Sequence, residues 1–230
     1  MLMWCRAIAA ERAMNVELHE PDVSPLAVQG PMAEEVVAAV FGDWIRDIKF
    51  FWFADEELNG IPLKIQRSGY SGQGGFEIYL LDGTRGDELW NIFREAGAPW
   101  GIGPGNPSPV ERIESGMLSF GGDTDDHTNP FEVRLERYVD LDVADDVVGI
   151  GALRRIKADG PTRHQLGLLL DDEEPQPGPV RWYDIEAGGQ KVGDMTCGCW
   201  SFKFERVIGF ALISVNYQPG DRVTVVRQGV

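Results

Sequence analysis

Arg67-Ser-Gly-Tyr-Ser-Gly-Gln-Gly-Gly-Phe-Glu-Ile-Tyr-Leu-Leu81 is the stretch that decides how this chain reads. Just before it, Ile61, Leu63 and Ile65 alternate with Pro62, Lys64 and Gln66, and Phe76–Leu81 repeats the habit. A period of two sends successive side chains to opposite faces, so both runs are half-buried strands. The connection Ser68–Gly75 is glycine-rich, so it can adopt positive φ and let a flat ligand approach the backbone. Glu77 and Tyr79 lie two apart and project from one face, while Phe76 and Ile78 project from the other.

Outward from that hairpin, Val23–Gln29 reads as a short strand closed by Gly30-Pro31, which opens a helix over Met32–Phe41 ended by Gly42. Leu2–Met14 has helical spacing but no cap before it, and Asp87–Ala96 is an amphipathic helix stopped by Gly97. Ser108-Pro-Val-Glu111 has the form of a capping box, predicting a helix to about Phe120 with Val110, Ile113, Met117 and Leu118 inward. Asp142–Asp146 is an acidic loop, and Ile150–Asp159 another short helix before Gly160-Pro161. Beyond it, Gln165–Leu170, Val180–Ile185, Lys191–Thr196, Val207–Val215 and Arg222–Arg227 read as strands. The expected organisation is α+β over 1–160, then a small open β-barrel or sandwich over 161–230.

The 230 residues are 43% hydrophobic and 25% charged, enough for a buried core, which excludes a disordered or fibrous chain. A net charge of −16 repels phosphate backbones and anionic lipid, so neither nucleic acid nor a membrane surface is expected as partner. Three cysteines cannot build a disulfide framework; Cys197-Gly-Cys199 has the wrong spacing for zinc and is expected inside a β segment. No signal peptide or apolar span is visible, so a cytoplasmic location is expected.

Most catalytic patterns fail. The glycines at 69–75 form neither a P-loop nor a dinucleotide fingerprint, and His19, His127 and His164 have no Gly-x-Ser-x-Gly partner. Asp123-Thr-Asp-Asp-His127 lacks the calcium-loop glycine and reads as a solvated acidic turn, so no metal is expected. Glu77 and Tyr79 are more informative. A carboxylate accepts two parallel N–H bonds from an amidine-like ring edge, and a neighbouring Tyr adds a stacking or hydroxyl contact. The competing reading makes them merely the solvent face of an edge strand. Trp44, Trp52, Tyr70 and Trp100 offer aromatic faces that attract onium cations, although each taken singly reads rather as core packing. Arg112 and Glu114 sit two apart on one helix, so they point in different directions.

Arg67–Tyr79 resembles the signature of the glycine-cleavage T-protein (aminomethyltransferase) family. Further segments agree in order: Leu26-Ala-Val-Gln-Gly-Pro31, Arg112-Ile-Glu-Ser-Gly-Met117, Gly121–Pro130 and Val192-Gly-Asp-Met-Thr-Cys-Gly198. Within the family the wording is most similar to the dimethylsulfoniopropionate demethylases, including Asn129-Pro-Phe-Glu132.

The resemblance implies a partial folate-binding domain with a ferredoxin-like half, then the C-terminal barrel, and tetrahydrofolate as cofactor. It implies transfer of a methyl group from a sulfonium zwitterion to tetrahydrofolate. The alternatives are a glycine-cleavage-type aminomethyltransferase, with a lipoyl carrier protein as partner, or a folate-binding protein without catalysis. Glu77, Tyr79, Tyr70 and Arg112 would bind the cofactor, and Trp44 and Tyr79 the substrate. Lys64, Arg67 and Arg112 would serve the anionic folate tail. The family's aspartate would lie in an N-terminal part absent from this chain, which also reads as shortened at its end. Homo-oligomerisation is left open.

Overall fold

Ser24–Gln29 (β1), Phe53–Leu58 (β2), Ile61–Gln66 (β3) and Gly75–Leu80 (β4) pair antiparallel in the order β1-β4-β3-β2. These strands belong to the first of two compact units, Met1–Asn106 and Pro107–Val230, in a computed structural model that describes residues 1–171 and 183–226. In β3 and β4 the predicted alternation is realised: Ile61, Leu63, Ile65, Phe76, Ile78 and Leu80 are buried, and the residues between them are not. The strand β2 was not predicted. Its acidic Asp55-Glu-Glu57 hides the period, but Asn59 (φ 52°) and Gly60 (φ 75°) form the two-residue turn that joins it to β3. Positive φ at both central residues fits the right-handed twist of paired strands, and Asn-Gly is the sequence that tolerates it best.

Ala33–Phe41 (α2) and Gly86–Ala96 (α3) cover the apolar face of this sheet. Ala33, Val36 and Val37 of α2 and Leu89 and Phe93 of α3 join the strand residues in one core. Both helices carry acidic residues in the first turn, Glu34 and Glu35 in α2 and Asp87 and Glu88 in α3, where they favour the helix dipole. The N-terminal helix Leu2–Glu11 (α1) has no side-chain cap, as its sequence implied, and buries none of its residues.

In the second unit, Pro109–Glu114 (α4) and Ile150–Asp159 (α5) precede a five-stranded antiparallel sheet. Its strands are Arg163–Leu169 (β5), Tyr183–Ala187 (β6), Gln190–Ser201 (β7), Arg206–Ser214 (β8) and Thr224–Val226 (β9), in the order β5-β8-β7-β6-β9. The expected strand residues 180–182 and Arg227 lie outside the described residues. The helix expected to reach Phe120 ends at Glu114. Gly116 (φ 74°) breaks it, with Gly116 N–H donating to Ile113 O at 3.1 Å and Met117 N–H to Arg112 O at 2.8 Å. That bond pair is the glycine-closed helix end. Nor does the Ser108 side chain cap the helix.

β8 is buried from Val207 to Ile213, which explains its unbroken apolar run. Val207, Ala211 and Ile213 pack with Met195 and Ile185, whereas Ile208 and Phe210 pack with Cys197, Cys199 and Ile113. Met195 and Cys197 would share a face in a regular strand. A register shift between them sends them to opposite sides. The Asn129-Pro-Phe-Glu132 motif makes a turn. Asn129 Oδ1 accepts from Phe131 N–H and Glu132 N–H, and Glu132 is bound by Arg163 Nε at 2.8 Å.

Candidate functional site

The register of the first sheet assigns its uncovered face. Glu77 stands opposite Ala27 on one side and Gln66 on the other, and Gln66 opposite Phe53; Tyr79 stands opposite Pro25 and Lys64, and Lys64 opposite Asp55. None of these residues is buried. The two residues predicted to recognise a planar ring edge are therefore neighbours on one side of β4. Partial desolvation, aided by the Glu77 charge, pushes the Tyr79 phenol above its ordinary pKa, so it stays a neutral hydroxyl.

The glycine loop joins this face through contacts that the sequence reading missed. Gln29, at the end of β1, donates Nε2–H to Ser68 O at 3.0 Å and to Phe76 O at 3.2 Å. Its Oε1 accepts from the Ser71 hydroxyl at 2.9 Å. The Ser68 hydroxyl in turn donates to Glu77 Oε2. Two glycines make room for the Gln29 side chain. A Cβ on Gly69 would stand 1.8 Å from Gln29 Oε1, and one on Gly75 (φ 145°) 2.7 Å from Gln29 Nε2, with the Val28 carbonyl oxygen nearer still at 2.3 Å. Tyr70, at the loop's exposed side, is 42% accessible.

Trp44 sits in a short 3-10 turn, Asp43–Asp47, just after Gly42. Its indole N–H donates to Phe41 O at 2.7 Å, and the side chain is 38% accessible, which leaves ring surface in solvent. The turn is held by Arg46, which bonds Asp43, Glu34 and Glu35. Arg67, the residue that opens the glycine loop, donates to Arg46 O at 3.0 Å and Ile48 O at 3.3 Å and pairs with Glu34. The Trp44 turn and the start of the loop are thus braced by one guanidinium.

Arg112 lies in the second unit. It is buried, and its Nη1 donates to Asp123 Oδ2 at 2.6 Å and Met117 O at 3.0 Å, with Phe210 beneath the guanidinium at 5.8 Å. Asp123 also accepts from Ser119 N–H at 2.8 Å and the Thr196 hydroxyl at 2.9 Å. The acidic turn expected to be solvated is therefore split. Asp126 and His127 are exposed, but Asp123 is 2% accessible because Arg112 compensates its charge and the Thr196 hydroxyl bonds its second oxygen. Glu114 accepts from the Ser201 hydroxyl. All three bases expected to meet an anionic tail are paired: Lys64 with Asp55, Arg67 with Glu34 and Arg112 with Asp123. Cys197 and Cys199 are free and buried in β7, as their spacing suggested. Burial, with the nearby Asp123 carboxylate for Cys197 and Glu114 for Cys199, pushes each thiol up to about 11. Among the described residues no cluster could hold a metal ion, and no helix is long and apolar enough to cross a membrane.

A sheet with one helix-covered face, a carboxylate and phenol on the other, and a separate antiparallel β unit define an α+β protein of two-domain type. The GCVT N-terminal domain model matches residues 1–143, and the glycine cleavage T-protein C-terminal barrel domain model matches 163–230. The chain belongs to the glycine-cleavage T-protein family. It is 37% identical to dimethylsulfoniopropionate demethylase DmdA of Ruegeria pomeroyi over 98% of this chain and 61% of that protein. It is 33% identical to an aminomethyltransferase of Thermoanaerobacter pseudethanolicus over 89% of this chain and 55% of that one. Among solved structures, the glycine cleavage system aminomethyltransferase T of Bartonella henselae superposes with a TM-score of 0.77 at 23% identity. That likeness covers 99% of this chain and 62% of the other, and it concerns the fold. The chain spans about 60% of the length of the first of these curated relatives.

Proposed function

We propose that this chain carries the folate-binding face of a tetrahydrofolate-dependent methyltransferase whose methyl donor is a sulfonium zwitterion, dimethylsulfoniopropionate. Tetrahydrofolate is the family's cofactor. The observation that carries the reading is Glu77 on the uncovered face of β4, held by the Ser68 hydroxyl and flanked by Tyr79. The group fits these residues: the pteridine presents an amino group and a ring N–H side by side, and a carboxylate accepts such a pair. Tyr79 and the exposed Tyr70 would line the ring, and the glycine loop allows backbone approach. Arg112, the other residue expected at the cofactor, is paired with Asp123 in its own unit.

When bound, tetrahydrofolate supplies N5 as the acceptor of the methyl group. A sulfonium methyl is already activated because its leaving group is a neutral thioether. The residues' task is therefore to hold donor and acceptor in line at near-attack distance. Trp44 would hold the cation: its N–H is bonded to Phe41 O, which fixes the ring while its surface remains open to an onium.

Identity is 37% to this demethylase and 33% to the aminomethyltransferase of Thermoanaerobacter pseudethanolicus, which favours the sulfonium donor. The second reading is aminomethyl transfer from a lipoyl carrier protein; relatives at 33% and 31% identity are named aminomethyltransferases. A chain that binds folate without transferring a methyl group is the third. Incubation with methyl-labelled dimethylsulfoniopropionate and tetrahydrofolate separates the first reading from the others. Labelled methyltetrahydrofolate supports the first; if the label stays on the donor while calorimetry registers folate binding, one-carbon transfer to tetrahydrofolate from an aminomethylated lipoyl carrier protein supports the second and its absence the third.

A further inference from the structure

We propose that Gln29 is a positioning residue for the Glu77 carboxylate, acting through the glycine loop; this rests on the folate reading of the same face. The Gln29 side chain bonds both ends and the middle of the loop: Ser68 O, Phe76 O and the Ser71 hydroxyl. One of those ends, Ser68, is 3% accessible and orients Glu77 with its hydroxyl. The line of action therefore runs from the Gln29 amide to the Ser68 carbonyl, and from the Ser68 hydroxyl to the Glu77 oxygen. Each link is a bond whose geometry the next depends on.

The glycines fit the same device. Gly69 has no space for a Cβ because Gln29 Oε1 occupies it, and Gly75 faces Gln29 directly in the β1–β4 register. A side chain at position 69 must push Gln29 aside, so Gly69→Ala should act as Gln29→Ala does. The device also accounts for the amide at position 29. Gln29→Glu keeps the length and the acceptor for Ser71 but loses both donors, so it cannot hold the two carbonyls. An aliphatic residue could fill the space but hold neither end.

The test has a ligand-free arm and a binding arm. Without folate, hydrogen exchange of residues 68–76 should rise about tenfold or more in Gln29→Ala, Gln29→Glu and Gly69→Ala, while β3 amides keep their protection. With tetrahydrofolate kept reduced, calorimetry should give a Kd raised about tenfold for Gln29→Ala and for Ser68→Ala. The double variant Gln29→Ala/Ser68→Ala should be no weaker than the weaker single one, because both cut the same line. A loop brace with no role in orienting Glu77 would instead leave the Kd of the folded protein unchanged, or its effect would multiply with that of Ser68→Ala. Either result, or unchanged loop exchange, overturns the proposal. Glu77→Gln separates the two levels. If it binds folate like the parent chain, the folate reading fails; if it loses binding while Gln29→Ala does not, positioning alone fails.

Discussion

Replacing Asp123 by alanine would strand the Arg112 guanidinium inside the second unit. The Asp123 side chain is fully inaccessible and that of Arg112 only 11% accessible, so water cannot take over. The truncation removes the 2.6 Å ion pair and the bonds from Ser119 N–H and the Thr196 hydroxyl at 2.8 and 2.9 Å. Breaking a buried pair from one side costs about 3–5 kcal/mol, because the surviving charge keeps its desolvation penalty. Against a total stability on the order of 5–15 kcal/mol, that is a large fraction. Cys197 and Cys199 report the loss locally, since both pack with Ile113 beside Arg112. Their reaction with a thiol reagent in the native state should accelerate roughly 100-fold or more for 3 kcal/mol of lost opening energy. A second substitution, Arg112→Met, should restore most of the protection, because an apolar pair of similar volume replaces a buried ion pair at little cost. Asp123→Ala with unchanged thiol protection, or a double variant more reactive than the single, would refute the reasoning.

Other perturbations have equally definite outcomes. Cys197 and Cys199 titrate near 11 in the fold against an ordinary 9.0, so the folded state holds their protons more tightly. Stability from this source is complete below about pH 9 and is lost as pH rises through 11, by about 2–3 kcal/mol per thiol at most. Urea midpoints across that range should show the slope, and a Cys197→Ala/Cys199→Ala variant should flatten it. Trp44→Ala should weaken binding of the sulfonium substrate by about 0.5–2 kcal/mol, read by calorimetry; an unchanged Kd removes its role. Ile78→Ala, at a fully buried position of β4, should cost about 2–5 kcal/mol in denaturant unfolding.

What the sequence disclosed was what depends on neighbours along the chain. The alternation of Ile61–Gln66 and Phe76–Leu80 set the strands and put Glu77 and Tyr79 on one face, and Gly30-Pro31 marked the opening of α2. The strand β2 escaped because Asp55-Glu-Glu57 masks its period, although Asn59-Gly60 was a legible turn. Gly116 likewise marked the end of α4 but was outweighed by the apolar residues beyond it. The rest was illegible for a physical reason: its contacts are long-range. Thr196 meets Asp123 from 73 residues away, and Gln29 reaches Ser68 across 39. No local pattern reveals that an aspartate in an acidic run is buried, or that a register shift turns Cys197 to the opposite side from Met195.

The account stands most directly on Glu77 as the folate carboxylate. Calorimetric titration of this chain with reduced tetrahydrofolate should give saturable one-to-one binding, and Glu77→Gln should weaken it by about 1.5–3 kcal/mol, roughly 10- to 150-fold. Equal affinity in the two proteins, or no binding to the parent chain, would contradict it.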